Sequence, residues 1–214
     1  MTDPPDEPGG GAAAALEQAD ALARAGSSID AVARYRELLA AQPGSAEVRL
    51  RLARLLDHLE EGDEAIALLS QGLGRQPDNT EFVFLRGSIL SRLRRYDEAE
   101  GDLQRVLRTR PGDAVVELEL GLLAWRRGLM PQAVAHFRRA LERRPDDARA
   151  GYHLADALNQ TGDLRGARDA LEQTIRSSPR DPKAHHLLGR VLDRLGEQEQ
   201  ARELYRRARE LGST

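Results

Sequence analysis

Five prolines stand 34 residues apart in this chain: Pro43, Pro77, Pro111, Pro145 and Pro179. Two residues after each comes Ser45, Asn79, Asp113, Asp147 or Asp181. Proline lacks an N–H and clashes with the preceding turn, so it cannot continue a helix. Ser, Asn and Asp accept hydrogen bonds from the free amides at a helix start. Each pair is therefore a stop followed by a start, and its recurrence means that one structural unit is repeated along the chain.

Inside the unit the register holds. Counted from the residue after the cap, position twenty is Ala31, Ala65, Ala99, Ala133, Ala167 and Ala201. Position eight is always small: Ala19, Ala53, Gly87, Gly121, Ala155 and Gly189. Position twenty-four is large: Tyr35, Leu69, Leu103, Phe137, Leu171 and Tyr205. Small residues let two helices approach, and the large ones fill the space beside the contact. Gly26, Gly128, Gly162 and Gly196 punctuate the middle of the unit, where a tight turn needs positive φ. In "WRRGLMPQAVAHFRRALERRPDD" Gly128 ends one helix, Pro131 suits the first turn of the next, and Arg143–Arg144 suit its C-terminus. With only 4% aromatic residues, and few Val and Ile, a large sheet is disfavoured. Gly and Pro every 34 residues exclude one long coiled coil.

The segment "AVVELELGLLAWRRGLMPQAVAHFRRALERRPDD", with Leu120–Gly121, Ala133, Phe137, Ala140 and Pro145 on pattern, resembles the tetratricopeptide repeat. The resemblance covers about residues 12–214 in six tandem copies, approximately 12–45, 46–79, 80–113, 114–147, 148–181 and 182–214. It implies an all-α fold, a right-handed α-solenoid of helix–turn–helix repeats, preceded by a polar tail at 1–11 expected to be disordered. Position four departs from the family's large residue: Ala15, Arg49, Glu117, Gly151 and His185 occupy it, and only Val83 is bulky and apolar. In the last copy Arg209 replaces the apolar residue of Leu39, Leu73, Leu107, Leu141 and Ile175. No further repeat follows it there, so the final helix is expected to act as its own polar cap.

Chemistry is hard to find. There is no cysteine, hence no thiolate nucleophile or thiolate metal site. The "GLG" at 72–74 falls within a helix and lacks the lysine or strand of a phosphate loop. His185 and His186 are adjacent and point about 100° apart on a helix, so they do not chelate together. His153 and His186 could approach across a repeat boundary, but the bland reading is preferred, and no metal, cofactor or catalytic site is expected. A net charge of −3 provides no basic field for nucleic acid. "MTDPPDEPGGG" is no signal peptide, and no apolar run is long enough to span a bilayer, so neither a membrane nor a nucleic acid is an expected partner. The cytoplasm is the default location.

The resemblance implies a concave groove lined by positions two, five, nine and twelve of the first helices. Its apolar lining would be Phe84, Leu118, Leu122, Trp125 and Tyr152, with Asp156 and His186 beside them. Arg126, His153 and Arg190 would supply polar specificity. Trp125 has a competing reading, as a residue that packs on its neighbour. The expected function is a non-catalytic scaffold or adaptor that binds a peptide or helical segment of another protein. Two alternatives are a regulatory or targeting subunit of an enzyme on another chain, and self-association through the repeat ends. The lysine at five and asparagine at nine that hold chaperone tails in this family are absent, so that role is not expected.

Overall fold

The computed structural model describes residues 10–212, in which twelve α-helices and no strands are found. They are α1 Gly10–Arg24, α2 Ser28–Ala41, α3 Ala46–His58, α4 Gly62–Arg75, α5 Thr80–Arg92, α6 Tyr96–Thr109, α7 Ala114–Arg126, α8 Met130–Arg143, α9 Ala148–Thr161, α10 Leu164–Ser177, α11 Pro182–Leu195 and α12 Gln198–Gly212. Most of the tail expected at 1–11 lies outside the described residues; Gly10 and Gly11 open α1.

The helix starts are made as the spacing predicts. Ser45 accepts from the Val48 amide, Asn79 from Phe82, Asp113 from Val115, Asp147 from Ala150 and Asp181 from Lys183. Between the helices of a pair, Gly26, Gly128, Gly162 and Gly196 adopt φ of 82°, 77°, 87° and 84°. Where glycine is missing, Glu60 and Arg94 are forced to φ 64°. A side chain in that left-handed region carries a steric cost of roughly 1 kcal/mol. Glu60→Gly and Arg94→Gly are therefore each expected to stabilise the chain by up to about 1 kcal/mol, read as a raised urea midpoint. An unchanged midpoint in both would mean that these turns are not strained.

The molecule forms two compact units, 1–102 and 103–214, divided within α6. In the first, α1 to α5 pack in sequence and α3 also meets α5. In the second, α7 to α12 pack in sequence, while α9 meets both α7 and α11. First helices of neighbouring hairpins therefore lie side by side, the arrangement of an α-solenoid.

Packing explains the small and large positions. All six alanines at position twenty are fully buried. A Cβ added to Gly121 would lie 2.5 Å from Phe137, and one added to Gly189 would lie 2.7 Å from Tyr205. The large residue at twenty-four thus sits directly on the small residue at eight of its own hairpin. Four of the five departures at position four, Arg49, Glu117, Gly151 and His185, are buried too. Glu117 accepts a hydrogen bond from His136 Nδ1 at 2.7 Å and pairs with Arg139 at 3.6 Å, both on α8. His185 Nδ1 lies 2.9 Å from the Asp181 carbonyl, and Gly151 makes room for Thr174. Arg49 is taken up below.

Candidate partner-binding surface

In the second unit, α7, α9 and α11 carry the predicted side chains. Glycine and alanine at their inward positions bring each of these helices close to a second helix, and the face turned away from the second helices is left for the remaining residues. Leu118 and Leu122 do not reach it. They are 5% and 2% exposed and belong to the apolar core of this unit, because α7 is enclosed on nearly all sides. They support the surface from beneath.

Trp125, Tyr152 and His153 come together above that core. The rings of Trp125 and His153 meet edge to face at 5.7 Å, and those of Tyr152 and His153 at 5.4 Å. Phe137 of α8 stacks on His153 from below at 5.8 Å. Trp125 is half-buried and packs on its neighbour: its Nε1 donates to Asp156 at 2.7 Å across the repeat boundary. Asp156 also accepts from Gln160 at 2.8 Å. This carboxylate is thus engaged within the protein.

His153 stands in an unusual setting. Its Nδ1 is buried without a hydrogen-bond partner among the described residues. Burial, with help from Arg149, Arg126 and Lys183 and against Asp156, pushes its pKa down to about 4. The imidazole is therefore neutral at physiological pH and acts as an aromatic plate. Tyr152 is pushed up, chiefly by burial and then by Asp156 and Asp181.

Beside Tyr152 lies a cleft of about 290 Å³ lined by Pro182, Lys183, His186, Ala208 and Arg209. The His186 ring rests 5.3 Å from that of Tyr205, whose hydroxyl donates to Asp193 at 2.6 Å. Tyr152 and His186 therefore share one wall, as their offsets predict. Arg190 is exposed on α11, and Arg126 is half-buried at the end of α7. The described ion pairs include neither Lys183 nor Arg190, whereas Asp156 and Asp193 are both engaged.

Phe84 belongs to the first unit, half-buried on α5. In that unit Asp20, at position nine, accepts from Tyr35 at 2.5 Å and pairs with Arg51, and Arg92 pairs with Asp57, so these acids are engaged within the protein. Sequence reasoning missed Phe137 as the support of His153, and Pro182, Ala208 and Arg209 as cleft wall. For Arg209 the signal was present: it was the one charge in an otherwise apolar column.

Among the described residues no group of three His, Asp or Glu is placed to hold a metal ion, and no helix is long and apolar enough to cross a membrane.

A comparison with curated protein sequences returns no match. Among solved structures, the chain is similar to PilW, described as a widely conserved type IV pilus biogenesis factor. That match has a TM-score of 0.82 and 22% identity, over 91% of this chain and 90% of that one. It is similar to a tetratricopeptide repeat protein from Parabacteroides merdae, with a TM-score of 0.77 and 21% identity over 96% and 81%. YrrB, described as a TPR protein with an unusual peptide-binding site, matches with a TM-score of 0.63 and 19% identity over 83% and 91%. At such identities the likeness is one of fold. Profiles of the tetratricopeptide repeat match residues 22–89 and 124–191, and again 182–211 and 86–110. Those spans, on a fold of stacked helical hairpins, show that this chain belongs to the tetratricopeptide repeat family.

Proposed function

We propose that the protein is a non-catalytic interaction scaffold that holds an extended or helical segment of a partner protein on the α7–α9–α11 face of its second unit. The observation that carries this reading is the aromatic group Trp125–His153–Tyr152 beside the Tyr152–His186 cleft. It offers apolar rings backed by a rigid core, the construction that concentrates binding energy at an interface. Lys183 and Arg190, with no acidic partner among the described ion pairs, favour a segment with an apolar anchor flanked by acidic residues. Being a member of the family supports protein binding as the general role, and YrrB is a relative in fold whose description includes a peptide-binding site.

The test is affinity capture from the native cell lysate, followed by titration of the captured partner against single variants. Tyr152→Ala is expected to weaken binding at least tenfold, about 1.4 kcal/mol or more, because a central aromatic anchor is lost. Lys183→Glu is expected to slow association and flatten its salt dependence. Phe84→Ala, assayed separately, reports on the first unit alone. Unchanged affinity in Tyr152→Ala, with helicity by circular dichroism also unchanged, would sink this placement of the site.

A further inference from the structure

The first unit buries a positive charge that it does not neutralise. Arg49, on α3, is 4% exposed, and its fork donates to two backbone carbonyls, Leu68 O at 3.1 Å and Pro43 O at 2.8 Å. No carboxylate is among its partners in the described residues; its charged neighbour is Arg75, of the same sign. Burial and Arg75 together push the guanidinium down from its usual range. A buried charge left unpaired is costly, so such a group calls for a counter-charge.

A comparison within the chain sharpens the point. Two repeats further on, the same position holds Glu117, a charge equally buried and met by His136 and Arg139. The positions facing Arg49 in the same register are Leu68 and Gln71, which bring no charge. Nor is Arg49 a loose side chain. A Cβ on Gly72 would lie 2.5 Å from Arg49 Cδ and 2.8 Å from Phe82, so a glycine of the "GLG" stretch is what admits the arginine.

Arg49 and Arg75 open onto a cavity of about 620 Å³ between α2, α3 and α4, lined also by Arg36, Glu64, Leu68 and Gln71. Arg36 is already paired with Glu64 at 2.5 Å. Three arginines against one glutamate leave a surplus of two positive charges in the lining. A phosphate monoester carries roughly −1.5 to −2 near neutral pH and accepts planar, two-point bonds from guanidinium groups. The volume exceeds that of a phosphate group and leaves room for an organic substituent.

We propose that the cavity between α2, α3 and α4 is a phosphomonoester-binding site, with Arg49 and Arg75 holding the phosphate and Gln71 beside it. The site lies wholly in the first unit and does not depend on the partner-binding face of the second. Arg49 is pre-positioned at the cavity wall by its two carbonyl bonds. Arg75 adds the second cation from the end of α4.

Calorimetric titration of the full chain at pH 7.5 and constant ionic strength tests this, with inorganic phosphate, glycerol phosphate and acetate as probes. Both phosphates are expected to bind saturably, and acetate at least about tenfold more weakly. Tighter binding of glycerol phosphate would identify an organic ester as the ligand, and equal binding the free ion. Arg75→Gln, at an exposed position, is expected to weaken phosphate by about tenfold or more, the loss of a charge-assisted bond. Gln71→Glu is expected to abolish binding and to raise thermal stability in phosphate-free buffer, because it supplies the counter-charge from within. Absence of saturable phosphate binding in the wild type would overturn the proposal. So would an acetate affinity equal to that for phosphate, or phosphate affinities unaltered in both variants.

Discussion

Phe137→Ala is expected to destabilise the second unit by about 3–5 kcal/mol, the largest effect of any single truncation considered for this chain. Phe137 is fully buried, lies on Gly121 of its own hairpin and carries His153 on its other side. Its loss opens a cavity at the junction of α7, α8 and α9. The complementary change, Gly121→Ala, drives a methyl group into the Phe137 ring and is expected to cost about 1–3 kcal/mol. The two changes are coupled. In the Phe137→Ala background the new methyl group enters the vacated space, so the double variant is expected to be more stable than the sum of the singles implies. Urea unfolding of the four proteins measures this. Strict additivity would mean that position twenty-four does not rest on position eight.

The second large effect depends on pH. His153 has a pKa near 4 in the folded chain and an ordinary value of about 6.5 when unfolded. Between those values the unfolded chain binds a proton that the folded chain refuses. The stability contributed by neutral His153 is therefore fully present above about pH 6.5 and is lost progressively as the pH falls towards 4. The groups facing the ring are Arg149, Arg126 and Lys183, which oppose protonation, and Asp156, which favours it but is weaker than burial. The expected loss between pH 7 and pH 4.5 is of order 2 kcal/mol from this residue. Carboxylates titrate over part of the same range, so the measurement is a difference: urea midpoints at the two pH values for wild type and His153→Phe. Phenylalanine keeps the aromatic contacts and cannot take up a proton. A pH slope no smaller in the variant would show that His153 is not held neutral by the fold.

Much of the fold was legible because the repeat encodes it locally. A cap such as Asp147 needs only the amide three residues on, and a turn such as Gly162 needs only its own φ. Neither depends on what lies elsewhere in the chain. The pairing of Gly121 with Phe137 was legible for a related reason: both lie in one hairpin, so their spacing alone brings them together. The surface was less legible. Leu118 and Leu122 have the offsets of groove residues, yet α7 is enclosed and they fall inside. Trp125 was read as a ligand contact or a packing residue, and its bond to Asp156, a partner in the next repeat, is a contact of the packing kind.

The amino-acid sequence by itself determined the all-α repeat, its caps, its turns and the close helix contacts, since each rests on interactions within about 34 residues. Only the tertiary structure decided which side chains of the predicted stripe remain available and which charges are answered. Asp156 is answered by a tryptophan 31 residues away, Glu117 by a neighbouring helix, and Arg49 by two carbonyls and no acid. Burial and charge pairing are set by which helices enclose a residue, and that enclosure is a property of the stacked hairpins rather than of any one of them.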